Sequence, residues 1–218
     1  MSTNLSIFDI VGPIMVGPSS SHTAGANRIA GFARKIGGDG FIRADFFLHG
    51  SFEKTYKGHG TDKALLGGVL GFSPDDERLK ESFKYADEKN IEYSFIPMDL
   101  GDVHPNTVKV VLTYKDHRST VVGSSIGGGN IKIISINGNE VEYYGKNPTL
   151  IMSYKEQKGM IAFISNILYD EGYNIHTMQT INEGDDIMLV VELDEKITKD
   201  MEDRMRNGKE YTFFKYLD

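Results

Sequence analysis

There is no cysteine anywhere in the 218 residues. That excludes a thiolate nucleophile, a disulfide-stapled scaffold, and any thiolate-held metal or iron–sulfur cluster built from this chain alone. It fits a reducing compartment, so a cytoplasmic location is expected. There is no basic excess either. Lys and Arg number 24 against 31 Asp and Glu, a formal charge of -7, and the cations are scattered. Nucleic-acid binding, which wants a basic face, is not expected. No apolar run approaches the roughly 20 residues needed to cross a bilayer, so no membrane association is expected. The opening Met1-Ser-Thr-Asn-Leu-Ser-Ile-Phe-Asp9 lacks a basic start and a long apolar stretch, and is not expected to be a signal peptide. Low-complexity tracts and repeats are missing too.

What is present fills a core: hydrophobic residues make up 39%, with 12 Phe and 11 Tyr. The length suits one large or two small domains. Residues 20–36 read as a helix, with Ala26, Ile29, Ala30, Ala33 and Ile36 on one face and Gly37-Gly38 as its stop. Strand 41–49 follows. A helix opens at Thr61-Asp62 and runs to Leu70, with two glycines that permit close packing of another backbone. Ser73-Pro-Asp-Asp76 reads as a helix start leading into Leu79, Phe83 and Ala86. Strands follow at 91–97, 107–114, 119–126 and 131–136, and Asn137-Gly138 is a hairpin signal. Gly145-Lys-Asn-Pro148 reads as a linker. Beyond it, strand 150–154, a helix 160–171 with Ile161, Ile164, Ile167 and Leu168 inward, strands 173–180 and 187–193, helix 198–206 and strand 211–217 give the order βαββαβ, the ferredoxin-like plan. The expectation is an α+β protein with domains at 1–146 and 149–218.

Four short segments carry the chemistry. Gly17-Pro-Ser-Ser-Ser-His-Thr23 delivers Ser19, Ser20, Ser21, His22 and Thr23 to a helix N-terminus, where free N–H groups and the dipole favour a carboxylate or phosphate. Plain capping explains one Ser and leaves the others over. Gly58-His-Gly-Thr-Asp62 sets His59 between glycines. Histidine titrates near neutrality and is the natural acid or base, while Thr61 and Asp62 are explained equally by capping the next helix. His104-Pro-Asn-Thr107 is a tight turn of common loop residues, and His104 is a reserve base. Gly127-Gly-Gly-Asn130 either joins two strands or lets a ligand reach the backbone. His49, His117 and His176 read as structural or surface residues. The histidine spacing is no local metal motif.

These segments, in this order and with Ser6-Ile-Phe-Asp-Ile-Val-Gly-Pro-Ile ahead of them, resemble the β subunit of the two-chain iron–sulfur L-serine dehydratase (L-serine ammonia-lyase) of bacteria. The resemblance covers nearly the whole chain. It implies an N-terminal mixed α/β domain similar to the allosteric substrate-binding domain of D-3-phosphoglycerate dehydrogenase, and an ACT domain at 149–218. It implies conversion of L-serine to pyruvate and ammonia. It also implies a [4Fe–4S] cluster that acts as Lewis acid on the serine hydroxyl and is ligated by the cysteines of a partner α subunit, with no metal ligand from this chain. His59 is then the base and His104 its reserve. Ser19, Ser20, Ser21, His22, Thr23, Thr61, Asp62, Asn106, Gly127, Gly128 and Gly129 line the substrate. In the ACT part, Glu156 and Lys158-Gly159 stand where amino-acid-binding relatives carry Asp and Pro-Gly. Gly159 and Asn174 are the candidate ligand contacts there, against a purely dimerising role. Two further readings stand beside the enzyme: a free-standing L-serine sensor, and a structural partner that only dimerises the α chain.

Overall fold

The computed structural model describes residues 14–183 and 186–218. The opening through Pro13, on which the signal-peptide expectation and the first part of the resemblance rest, lies outside the described residues. The chain divides after Tyr144 into two compact units, at the start of the segment read as a linker.

In the first unit a wide turn of π-type helix, Ser20–Gly25, runs into α1 (Ala26–Gly37). Then come β1 (Arg43–Leu48), the short α2 (Ser51–Thr55) and α3 (Thr61–Leu70). A 3-10 segment, Glu77–Glu81, leads into α4 (Ser82–Glu88) and β2 (Glu92–Pro97). Strands β3 (Thr107–Thr113), β4 (Arg118–Gly127), β5 (Asn130–Ile136) and β6 (Asn139–Tyr143) close the unit. The six strands form one sheet in the order β2-β1-β3-β4-β5-β6. The β1–β2 pair is parallel and the other pairs are antiparallel.

The period of two along a strand decides which face is buried. Ala44, Phe46 and Leu48 pair with Leu112, Val110 and Val108, and all six are fully buried. Val121, Ile133 and Ile136 extend that face across β4 and β5. Helix α1 packs on it, and α3 packs on α1. The expected stripe Ala26, Ile29, Ala30, Ala33 and Ile36 is buried in full. The glycines of α3 do what their small size allows. A Cβ on Gly68 would stand 2.4 Å from the Asn27 carbonyl oxygen, so only glycine lets the two helices come this close. Buried Asn27 fastens the pair, its side-chain Nδ2 donating to the carbonyls of Ala64 (3.2 Å) and Phe72 (3.1 Å).

Two local expectations need correction. Ser73-Pro74 does not start a helix. Asp76 does, its carboxylate accepting the Arg78 N–H at 2.9 Å, while the Ser73 hydroxyl bonds Asp75 instead. An ionised acceptor is the stronger cap, and hydrogen bonds from Arg78 hold the Asp76 carboxyl below its usual range. Helix α2 was not expected at all, because five residues are too few to show a period. The Asn137-Gly138 turn matches its signal, with φ of 52° and 94°, the two positive angles of a type I′ hairpin.

The second unit contains β7 (Thr149–Lys155), α5 (Met160–Asp170), β8 (Ile175–Glu183), β9 (Asp186–Leu193), α6 (Lys199–Asn207) and β10 (Phe213–Leu217). This is the order βαββαβ, in one antiparallel sheet ordered β10-β7-β9-β8. Its core joins Leu150, Met152, Leu189 and Val191 of the sheet to Ile164, Leu168, Met201 and Met205 of the helices. Ile161 was expected inward and is 47% exposed. Met160 takes its place: the helix begins there, as expected, but its buried face is Met160, Ile164, Ile167 and Leu168, which helical spacing sets on one side.

Candidate functional site

The four motifs of the first unit meet at one end of its sheet. The registers Leu48↔Val108, Thr107↔Ser124 and Gly127↔Asn130 put the exit of β1, the entry of β3 and the tip of the β4–β5 hairpin at that end. Gly25, in the π-type turn, lies against Ser125 of β4. Such turns recur at functional sites because they re-aim side chains that a regular helix would bury.

Ser19 caps the turn by accepting the His22 N–H at 3.3 Å. The imidazole of His22 is held at both ends: Nδ1 lies 3.3 Å from the Ser19 hydroxyl and Nε2 lies 3.1 Å from the Ser51 hydroxyl. Its ring meets His59 edge-on at 4.8 Å between centroids, and Phe52 edge-on at 5.3 Å. Thr23 donates its hydroxyl to the His59 carbonyl at 3.4 Å. His59 therefore does not stand clear of its neighbours, as its flanking glycines suggested. It is packed, its main chain is fixed, and its Nδ1 is buried without a hydrogen-bond partner. Gly60 makes the bend possible, with a φ of 68° that favours glycine. The Thr61 hydroxyl, fully buried, also lacks a partner. Thr61 does not cap α3. Gly60 occupies that position, with no side-chain bond, and Asp62 accepts the neighbouring Lys63 N–H at 2.8 Å.

Beside His59 is a cavity of about 310 Å³. Gly17, Thr23, His59 and Gly60 line it, and exposed Lys57 and Lys63 stand at its margin. Cations and the N-terminus of α3 together favour an anion here. Burial raises the Asp62 carboxyl above its usual range, against the pull of the Lys63 amide and the Lys63 and Lys57 charges. Burial and the neighbouring His59 lower the His22 pKa below 6.5, against a smaller opposing effect of Ser51.

The sign of that shift sets an acid response. The unfolded chain takes up the His22 proton first as pH falls. The stability His22 contributes is therefore present above pH 6.5 and lost as pH falls through the lower folded value. Thermal melts from about pH 8 down to about pH 5 are expected to lose stability in that window. His22→Gln should flatten this part of the slope. A variant with the wild-type slope would assign the loss to other groups.

The remaining motifs join through the main chain. Pro105 accepts the Ser51 N–H at 2.8 Å, and Asn106 accepts the Ser125 N–H at 2.9 Å. Gly50, at φ 58°, allows this approach, since a Cβ there would lie 2.7 Å from the Pro105 oxygen. His104 is exposed and accepts the Asn106 N–H on Nδ1 at 3.1 Å, which ties it to its own turn. Gly127, Gly128 and Gly129 form the hairpin tip with φ of 111°, 58° and 79°. Arg28 donates to the Gly129 carbonyl at 2.7 Å. Ser20 and Ser21 are half-buried, with no side-chain bond among the described residues.

Two expectations change in kind. Both ring nitrogens of His22 are engaged within the chain, and Thr23 spends its proton on His59. Neither is a free ligand for a substrate. Sequence reasoning missed Ser51 and Ser125. Ser51 holds His22 from 29 residues away. Ser125 is fully buried with an unbonded hydroxyl, pressed against Gly25.

In the second unit, Gly159 lies in an open cleft of about 780 Å³ with Tyr154, Glu156, Lys158, Thr180 and Asn182. Asn174 is not there. It precedes the far end of β8, eight residues from Asn182 and so about 26 Å along the strand. Within one chain, Gly159 and Asn174 do not share a ligand.

Among the described residues no group of three or more His, Asp or Glu is placed to hold a metal ion, and no helix is long and apolar enough to cross a membrane.

The family profile described as serine dehydratase beta chain matches residues 6–95. The chain is 44% identical over 220 residues to the L-serine dehydratase beta chain of Peptoniphilus asaccharolyticus, covering 99% of each. It is 40% identical over 194 residues to the probable L-serine dehydratase beta chain of Bacillus subtilis, covering 88% of each. A 27% identical match over 146 residues, 64% of this chain and 28% of the relative, is to D-3-phosphoglycerate dehydrogenase of Bacillus subtilis. The Gly17–Thr23 and Gly58–Asp62 motifs that build the His22–His59 contact both fall inside the matched profile, and the chain belongs to the serine dehydratase beta chain family.

Proposed function

We propose that this chain is the β subunit of an L-serine dehydratase and works with an α chain to turn L-serine into pyruvate and ammonia. The observation that carries the reading is His59, whose buried Nδ1 has no partner beside the imidazole of His22. A buried polar atom left unbonded is costly, and a ligand or a transferred proton would satisfy it. His59 is the proton acceptor of the reading, with His104 in reserve. Ser20, Ser21, Thr61, Asp62 and Asn106 offer hydroxyls, a carboxyl and an amide to L-serine, while Ser19 caps the turn and holds His22. Gly127, Gly128 and Gly129 leave room for main-chain amides to approach it. His22 and Thr23 hold His59 in place. The net reaction removes the α-proton and the hydroxyl as water, and the aminoacrylate so formed hydrolyses to pyruvate and ammonia.

The [4Fe–4S] cluster belongs to the α chain in this reading. This chain has no cysteine and no suitable cluster of other ligands among the described residues, so its residues do not fit as holders of that group. The beta-chain names of the relatives support a second chain. Co-expression with a cysteine-bearing partner under anaerobic conditions should give a complex that makes pyruvate from L-serine, while this chain alone is inert. A complex with full iron and sulfide content and no pyruvate would end the reading. A chain that purifies without a partner and binds L-serine without turnover would favour the sensor.

The first unit is read as a relative of the allosteric substrate-binding domain of D-3-phosphoglycerate dehydrogenase, a reading supported by the match to that enzyme. The second is read as an ACT domain, supported by its βαββαβ order and sheet. Strand β8 is an unpaired edge of that sheet, which invites pairing with another copy. Antiparallel pairing of two β8 strands about Met178 sets Asn174 of one copy opposite Asn182 of the other, beside the Gly159 cleft. Gly159 and Asn174 then meet across two copies. A monomer in sedimentation would end that arrangement.

A further inference from the structure

The geometry points to Ser51 as a substrate-contacting residue, its hydroxyl proton directed by a fixed relay from Ser19 through His22 toward the carboxylate of the amino acid. The inference rests on the dehydratase reading and adds to it a group that no motif marked.

The relay is one of two donor arrangements that these contacts allow, and the one we assign; the reverse, with Nδ1–H given to Ser19 and the Ser51 hydroxyl given to Nε2, would leave Ser51 no free proton. The Ser19 oxygen already accepts the His22 N–H at 3.3 Å. Its own proton is free to go to His22 Nδ1, also at 3.3 Å. With Nδ1 as acceptor, a neutral imidazole carries its proton on Nε2. That proton goes to the Ser51 oxygen at 3.1 Å. The lowered His22 pKa is consistent with a ring that stays neutral at pH 7. Ser51 is left with an occupied lone pair and an unspent proton. Among the described residues nothing accepts that proton. The Ser51 main chain is pinned separately, its N–H to Pro105 and its carbonyl to the Thr55 hydroxyl at 2.8 Å.

The partner that completes such a group is an acceptor. Of the polar groups on L-serine, the ammonium only donates, the hydroxyl both donates and accepts, and the carboxylate only accepts; the carboxylate, as the ionised acceptor, makes the stronger bond. Ser51 touches the same imidazole that His59 meets edge-on, and its N–H bond to Pro105 places it beside the Asn106 turn. With the α-proton of a small amino acid facing His59, we assign its carboxylate to Ser51, since both residues contact the one imidazole. His22 is a positioning residue: it acts through Ser51 and sets the direction of that hydroxyl.

The test uses the α–β complex and two readouts. The first is the 15N spectrum of the ring nitrogens, which reports where a neutral histidine carries its proton. Wild-type His22 should show Nε2–H, and Ser19→Ala should shift the population toward Nδ1–H. The second is steady-state kinetics. Ser51→Ala should raise the KM for L-serine about tenfold or more and change kcat far less, as expected when a hydrogen bond to a charged group is lost equally from bound substrate and transition state. Ser51→Thr keeps the hydroxyl and should recover most of the loss. A Ser51→Ala enzyme with wild-type KM, a Thr variant as poor as Ala, or a wild-type His22 protonated on Nδ1 would overturn the relay and leave the dehydratase reading in place. A wild-type complex that is iron-replete yet makes no pyruvate would overturn the dehydratase reading, and Ser51 as a substrate contact with it.

Discussion

Replacing His59 by Asn is expected to leave the β chain folded and able to join its partner, yet to lower kcat by about 10²-fold or more, the scale for losing a positioned acid or base. The fold should survive because the main chain, rather than the ring, does the local structural work. The His59 N–H bonds the Thr55 carbonyl at 3.0 Å, and its carbonyl accepts from Thr23. Both bonds outlast the substitution. What is lost is an imidazole nitrogen that the folded chain leaves unbonded. Asn fills much of the same space and can hydrogen-bond, but it has no basic nitrogen near neutral pH. The measurement is pyruvate formation by the purified complex, with circular dichroism and co-purification as controls for folding and assembly. Near-normal turnover would remove His59 from the mechanism and pass the role to His104.

A second large effect is expected at Gly25. This residue has an ordinary helical φ of -63°, so the backbone does not demand glycine. The neighbour does. A Cβ there would lie 2.0 Å from the Ser125 oxygen and 2.6 Å from its Cβ. Gly25→Ala must push the π-type turn off β4, at a cost of about 1–3 kcal/mol for overpacking. The turn carries His22 and Thr23, so activity should fall with stability. Pairing Gly25→Ala with Ser125→Gly moves the missing volume to the other side of the contact. The double variant should regain much of the melting temperature lost by the single one, a coupling expected of residues in direct contact. Additive losses would mean that Ser125 is not what Gly25 makes room for.

Most elements were legible in the sequence because their signals are local. The stripe from Ala26 to Ile36 needs only a helical period, and Asn137-Gly138 needs only two residues that tolerate positive φ. The parts that were not legible depend on distant partners. Ser51 looks like the end of a strand until His22 folds onto it. Ser125 looks like one more strand residue until Gly25 arrives. The same holds for roles. Glycines around His59 suggested an open ring, but the ring packs against His22, from a segment 37 residues earlier in the chain. Thr61 had the right type and place to cap α3, and Gly60 took the position because the chain must turn there in the left-handed region. Ile161 shows the limit of a period whose phase is unknown: the helix begins at Met160 as expected, yet Met160 rather than Ile161 faces the core.

The clamp between α1 and α3 has a chemical consequence of its own. Asn27 holds the two helices through one nitrogen that gives both its hydrogens to main-chain oxygens. Hydrolysis of that single amide to a carboxylate, the slow ageing reaction of asparagine, would set negative oxygen against two carbonyls in a dry interior. Helix α3 begins two residues after His59, so the clamp that seats this helix also bears on the segment that carries the imidazole.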